Sequence, residues 1–192
     1  MTRIKKLATV VLAAGESKRF GSENKLLHRV EGEPLLGHVL NAVTACDFED
    51  VVVVLGHEAD SILPLLEGLP VRTVLSPNYR EGMGESLRAG VEALQDADLD
   101  GLIVCLSDLP KLRPHHVEKV IDAFASNNGS SVVVPVFKGQ RGHPVCFPKR
   151  LFEKLSALSG DRGARDLIRV EGERGVFLEM DDDACIRDVD EK

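Results

Sequence analysis

The chain has no C-x-x-C pair, no long apolar run and no excess of positive charge, and each absence removes a class of function. Its four cysteines, Cys46, Cys105, Cys146 and Cys185, are widely spaced. Cys105 and Cys146 fall in apolar segments, so all four are expected as buried thiols of a reducing cytoplasm and not as metal ligands. The longest apolar runs are strand-sized, far short of a membrane span. A net charge of −7 argues against a general nucleic-acid binder. The two best-known phosphate loops are missing as well. Five residues, not four, separate Gly15 from Gly21, and Gly21-Ser22 stands where a P-loop has Gly-Lys. Gly15-Glu16-Ser17 breaks the G-x-G-x-x-G dinucleotide fingerprint.

What is present is a different cationic loop. The N-terminus, MTRIKKLATVVLAAG, is basic then apolar, but the apolar part is short for a signal peptide and reads as a first strand, Leu7 to Leu12. It runs into Gly15, Lys18, Arg19, Gly21 and Lys25. A strand brings its backbone to the carboxyl edge of a sheet, glycines let N–H groups approach a ligand, and cations balance its charge. This pattern predicts a polyphosphate site, with Lys25 in a solvent-facing loop.

Strands and helices then alternate. Helical periodicity covers 34–46, 59–67, 85–94 and 114–125, and β-branched or apolar runs cover 51–55, 71–75 and 101–107. The rhythm calls for an α/β fold, a three-layer, Rossmann-like, mostly parallel sheet. Residues 131–147 read as a hairpin-like excursion, followed by helices at 148–158 and 164–169 and final strands GVFLEM and ACIRDV. With 192 residues, 43% of them hydrophobic, and no linker or repeat, residues 1–192 are expected to form a single domain.

In such a sheet ligands sit beyond the carboxyl ends of the strands. The loop after the third strand carries Gly82, Met83, Gly84 and Ser86, where glycine backbone and a hydroxyl can read a flat ring. The loop after the fourth is Ser107-Asp108-Leu109-Pro110, whose stiffened Asp108 suits Mg²⁺ beside a triphosphate. Asp188-Val189-Asp190 offers a second carboxylate, while Asp181-Asp182-Asp183 reads as a solvated turn and His115-His116 as surface. Two further segments fit an acceptor site: Arg141-Gly142-His143-Pro144, and Gly160-Asp161-Arg162-Gly163-Ala164-Arg165, which combines flexible glycines with two cations.

These residues resemble one family throughout. Leu12, Ala13, Ala14, Gly15, Arg19, Phe20, Gly21 and Lys25 match the nucleotidyltransferase signature L-A-A/G-G-x-x-x-R-M/F-G-x-x-K. Gly-Met-Gly-x-Ser-Leu resembles the nucleotide-base loop, Asp-x-Pro the metal motif, and G-H-P with G-D-x-G-A-R the pterin-phosphate side of molybdopterin nucleotidyltransferases. Asp188-Val189-Asp190 is similar to the D-I-D-T-P-E-D ending of molybdopterin cytidylyltransferases, but only Glu191 and Lys192 follow here. Leu-Ala-Ala-Gly with Asn24-Lys25 looks like the CTP-using branch of the MobA-like NTP transferase family; the GTP-using branch tends to Leu-Ala-Gly-Gly.

The resemblance implies a fold of the nucleotide-diphospho-sugar transferase type. It implies a cytoplasmic, Mg²⁺-dependent enzyme that moves CMP from CTP to the phosphate of molybdopterin or its molybdenum-loaded form. Arg19 and Lys25 would hold the phosphates, with Asp108 as the third catalytic residue. Asp108 and Asp190 would hold the metal, and Leu12, Ala13, Ala14, Gly15, Lys25, Gly82, Gly84 and Ser86 the nucleotide. His143, Asp161, Arg162 and Arg165 would meet the acceptor. Partners would be CTP (or GTP), a phosphorylated pterin and a client molybdoenzyme, with no nucleic acid and no membrane. Two alternatives stand beside it: the same chemistry on a sugar or polyol phosphate, or a non-catalytic nucleotide-binding accessory protein for molybdoenzyme maturation.

Overall fold

In the first strand, β1 (Leu7–Ala13), every residue is buried. Its side chains alternate between two cores, Leu7, Val11 and Ala13 on one face and Ala8, Val10 and Leu12 on the other. That period of two requires cover on both faces of the sheet. The computed structural model describes residues 6–16, 20, 23–161 and 163–189. Arg19, Gly21, Arg162 and Asp190 therefore lie outside the described residues.

After β1 a small hairpin, β2 (Arg29–Val30) and β3 (Glu33–Pro34), leads into α1 (Leu35–Thr44) and β4 (Asp50–Leu55). Then come α2 (Ala59–Leu66), β5 (Arg72–Leu75), α3 (Met83–Glu92), β6 (Gly101–Leu106) and α4 (Pro114–Ser126). The last third holds β7 (Val133–Phe137), β8 (Gln140–Arg141), β9 (Val145–Pro148), α5 (Phe152–Ser156), α6 (Arg165–Glu171) and β10 (Val176–Glu179). The main sheet runs β10-β7-β9-β6-β1-β4-β5, with β8 paired to β7. β1 is parallel to β4 and β6, and β4 to β5.

Helices α1, α2 and α4 cover one face through Leu36, Val39, Ile62, Val117, Val120 and Phe124. α3 and α5 cover the other through Leu87, Val91 and Leu155. Each such fully buried side chain contributes about 1.5–3 kcal/mol relative to exposure. A Cβ on Gly90 of α3 would lie 2.5 Å from Val10 Cγ1, so this glycine sets how closely the helix approaches the central strand. The expected three-layer, mostly parallel α/β architecture is the one observed. Among the described residues no helix is long and apolar enough to cross a membrane.

The structure departs from expectation in three places. Residues 131–147 do form a hairpin, but it lies within the sheet: β9 is wedged between β6 and β7 and runs antiparallel to both. Its residues Val145, Cys146 and Phe147 are apolar and buried because both flanks are strands. ACIRDV is not a strand. Asp182 Oδ1 accepts from Ala184 N–H at 2.9 Å, and the Asp183 carbonyl accepts from the N–H groups of Ile186 and Arg187, which winds the chain into a turn. Finally, His116 is buried at 4% exposure and not a surface residue. Its Nδ1 accepts the Arg113 N–H at 3.0 Å and so caps the start of α4.

Candidate active site

Parallel pairing brings the carboxyl ends of β1, β4 and β6 to one edge, with Ala13 opposite Leu55 and Leu12 opposite Leu106. A cavity of about 590 Å³ opens there. The loop after β1 contributes Ala14, Gly15 and Glu16; the loop after β5 contributes Tyr79, Arg80 and Gly82. Asp108 follows β6, and the C-terminal third supplies Asp161, Arg165 and Asp188.

Lys25 begins a short 3-10 turn, Lys25–Leu27, which Asn24 caps by accepting the Leu26 N–H at 3.0 Å. The turn draws the lysine inward. Contrary to the solvent-facing position expected from sequence, Lys25 is only 6% exposed. Its Nζ donates to Asp108 Oδ2 at 2.8 Å. A charge-assisted hydrogen bond in a partly buried setting neutralises both groups. Asp108 Oδ1 is buried and has no hydrogen-bond partner among the described residues. A buried carboxylate oxygen left open in this way suits a hard cation, and Asp188 brings a second carboxylate to the same cavity. The donor set therefore fits a divalent metal ion.

The base loop is held differently from the sequence argument. Gly82 has φ of +129°, and a Cβ there would lie 2.5 Å from Asp161 N. Gly84 N–H donates to Gly160 O at 2.8 Å, and Gly84 does not line the cavity. These glycines let the base loop dovetail with the Gly160 loop. A Cβ on Gly84 would sit 2.8 Å from both Gly160 O and Ser159 C. Gly84→Ala is therefore expected to lower unfolding free energy by about 1–3 kcal/mol, the usual cost of forcing an extra methyl into a packed contact. Denaturant melts read the loss, and nucleotide titration should weaken with it; an unchanged midpoint would show that the contact is loose.

Of the other expected site residues, Leu12, Ala14, Gly15, Ser86, Asp161 and Arg165 line the cavity. Ala13 points instead into the core beneath α1 and α2. His143 does not reach the cavity lining. Its Nδ1 lies 3.3 Å from the Val104 carbonyl, and burial lowers its pKa below the usual histidine value. Sequence reasoning gave no role to Glu16, Tyr79 or Arg80 and named Asp188 only within the Asp188-Val189-Asp190 triplet, although all four stand in or beside the motifs it used. Arg80 Nε donates to Glu16 Oε1 at 3.0 Å, and its guanidinium lies 5.5 Å from the Tyr79 ring centroid. This strap ties the first loop to the base loop. The Tyr79 ring packs so close to Gly56 that a Cβ on Gly56 would lie 2.7 Å from Tyr79 Cγ.

An α/β sheet with this cavity at its carboxyl edge has the architecture of nucleotidyltransferases. The chain superposes on a nucleotidyl transferase from Methanothermobacter with a TM-score of 0.77, covering 97% of this chain and 92% of the other. At 21% identity that is a likeness of fold alone. The chain belongs to the family of MobA-like NTP transferase domains, whose family model matches residues 9–176. Its fold is also that of the Rv0371c homolog from Mycobacterium sp. strain JC1, at TM-score 0.79 and 31% identity over 96% of this chain and 90% of that one. Rv0371c of Mycobacterium tuberculosis, solved as a complex with manganese, gives TM-score 0.71 and 25% identity over 91% and 87% of the two chains. The bifunctional protein GlmU of Agrobacterium fabrum is 33% identical over 162 residues, 82% of this chain and 34% of that protein. The chain thus spans about a third of the length of the curated relatives it matches.

Proposed function

We propose that this domain transfers CMP from CTP to the phosphate of molybdopterin, or of its molybdenum-loaded form, and releases pyrophosphate. The observation that carries the reading is the Lys25–Asp108 pair at the cavity, with Asp108 Oδ1 buried and unpartnered and Asp188 nearby in the lining. An acceptor phosphate is already ionised at neutral pH and needs no general base. Its oxygen attacks the α-phosphorus, the bond to the α–β bridging oxygen breaks, and pyrophosphate leaves. The work left to the protein is positioning and charge neutralisation. Lys25, with Arg19 from the matched signature, holds the β- and γ-phosphates; Gly82 and Ser86 face the base. Asp161 and Arg165 line the acceptor side. A divalent cation, Mg²⁺ in this reading, would spread the triphosphate charge from a seat on Asp108 and Asp188, with Asp190 as a further carboxylate. The manganese complex of Rv0371c supports a metal of this kind.

The test is pyrophosphate release from CTP with molybdopterin and Mg²⁺. Release with molybdopterin but not with sugar phosphates supports the reading, and no release with any acceptor favours the accessory-protein alternative. A second reading keeps the donor chemistry and takes a sugar or polyol phosphate as acceptor; the stretch of sequence shared with the GlmU proteins favours it. Base choice rests on Ala14, a residue of the cavity lining whose methyl lies beside Gly56. CTP is expected to bind more tightly than GTP by about 1–3 kcal/mol, the size of a ring-exclusion effect. Calorimetry with the two nucleotides checks this, and Ala14→Gly should narrow the gap.

A further inference from the structure

The acidic run Asp181-Asp182-Asp183 is not a freely solvated turn. Asp181 pairs with Lys119, Asp182 Oδ2 with His116 Nε2 at 3.2 Å, and Asp183 Oδ1 with Lys111 Nζ at 3.0 Å. Asp183 Oδ2 also takes Arg187 Nη1 at 3.0 Å. Three successive carboxylates are thus met, in antiparallel order, by one continuous segment, the loop after β6 and the first turns of α4. Lys111 stands three residues after Asp108, and Asp183 five residues before Asp188. The two carboxylates that share the cavity therefore arrive on segments far apart in sequence, and this row of contacts joins those segments just outside it.

The link is directional. His116 Nδ1 accepts the Arg113 N–H, so the ring's proton sits on Nε2 and points at Asp182. Past the turn, His143 N–H donates to the Cys185 carbonyl at 2.8 Å, and a Cβ on Gly142 would lie 2.7 Å from Cys185 C. The arm from Asp181 to Asp188 is pinned first to α4, then to the β8–β9 connection, and ends in the cavity. The exposed lysine pairs among these contacts contribute little stability one by one. What they fix is position.

We infer that the Asp181–Asp183 clasp on Lys111, His116 and Lys119 is a positioning device that sets Asp188 against Asp108 for a shared divalent cation. The inference rests on the functional reading above. Residues that hold metal ligands in place tune affinity without touching the ion.

The test is Mn²⁺ uptake by the CTP complex, followed by electron paramagnetic resonance, together with CTP binding in metal-free buffer and thermal unfolding. The triple variant Asp181→Asn, Asp182→Asn, Asp183→Asn is expected to bind Mn²⁺ about tenfold more weakly, the scale of losing a ligand's support. Metal-free CTP binding should hold. Lys111→Met, at an exposed position that can be changed without unfolding the chain, should show a smaller loss in the same direction, and Lys111→Arg should restore it. Wild-type Mn²⁺ affinity in both the triple variant and Lys111→Met would overturn the clasp, as would an equal fall in metal-free CTP binding. A wild-type chain that takes up no Mn²⁺ with CTP would instead overturn the functional reading itself.

Discussion

Asp108→Asn is expected to lose turnover by on the order of 10²-fold or more while the chain stays folded, as when one charged contact to a transition state is removed. The exchange keeps the side chain's shape and leaves an oxygen for Lys25 Nζ, now 2.8 Å from Asp108 Oδ2. It removes the charge that makes the buried, unpartnered Oδ1 a seat for a hard cation. Metal-free CTP binding should change little or improve, because one anion facing the phosphates is gone. The Mg²⁺-dependent gain in binding should collapse together with pyrophosphate release. Calorimetry with and without Mg²⁺ separates the two. A normal Mg²⁺ titration with normal turnover would remove Asp108 from the metal site.

Lys25→Met is expected to lower turnover by a similar order, about 10²-fold, through the opposite charge. Methionine is the appropriate replacement because the lysine stem is buried, and alanine would add a void to the loss of charge. With the ammonium gone, Asp108 keeps its charge but loses its partner, which weakens a partly buried carboxylate's setting. CTP affinity without metal should therefore fall, the reverse of Asp108→Asn. Added Mg²⁺ should recover part of it. The double variant with Asp108→Asn should bind metal-free CTP better than Lys25→Met alone, since the unpaired anion is gone. Near-normal turnover in Lys25→Met would exclude a phosphate role for the residue.

How far the chain could be read before folding depended on the range of the interactions. β1 was legible because an unbroken apolar, partly β-branched run is a local signal, while Lys18, Arg19 and Gly21 of its loop lie outside the described residues. The same holds for β4, β6 and the apolar face of α4. Asp108 was legible as a strand-end carboxylate. The burial of Lys25 was not, because it depends on Asp108 83 residues away. Nor was the insertion of β9, since Val145–Pro148 is too short for its own sequence to say which strands it joins. Asp181–Asp183 looked solvated because its partners Lys111, His116 and Lys119 lie 62 to 72 residues earlier. The second cavity carboxylate was sought in the Asp-Val-Asp triplet and assigned to Asp190, which lies outside the described residues; Asp188 of the same triplet lines the cavity.

The reversed strand β9 also has a consequence for how the chain is made. β6 has β1 on one side, and its other edge is covered only by β9, which is synthesised after α4, β7 and β8. During translation the early strands can assemble on their own, but they then present a bare, apolar β6 edge to the crowded cell for seconds. An open strand edge is a template for pairing with other chains. Nascent or truncated products that stop short of residue 148 should therefore be the aggregating species, with β6 as the sticking point. The strand that closes the sheet also ends this exposure.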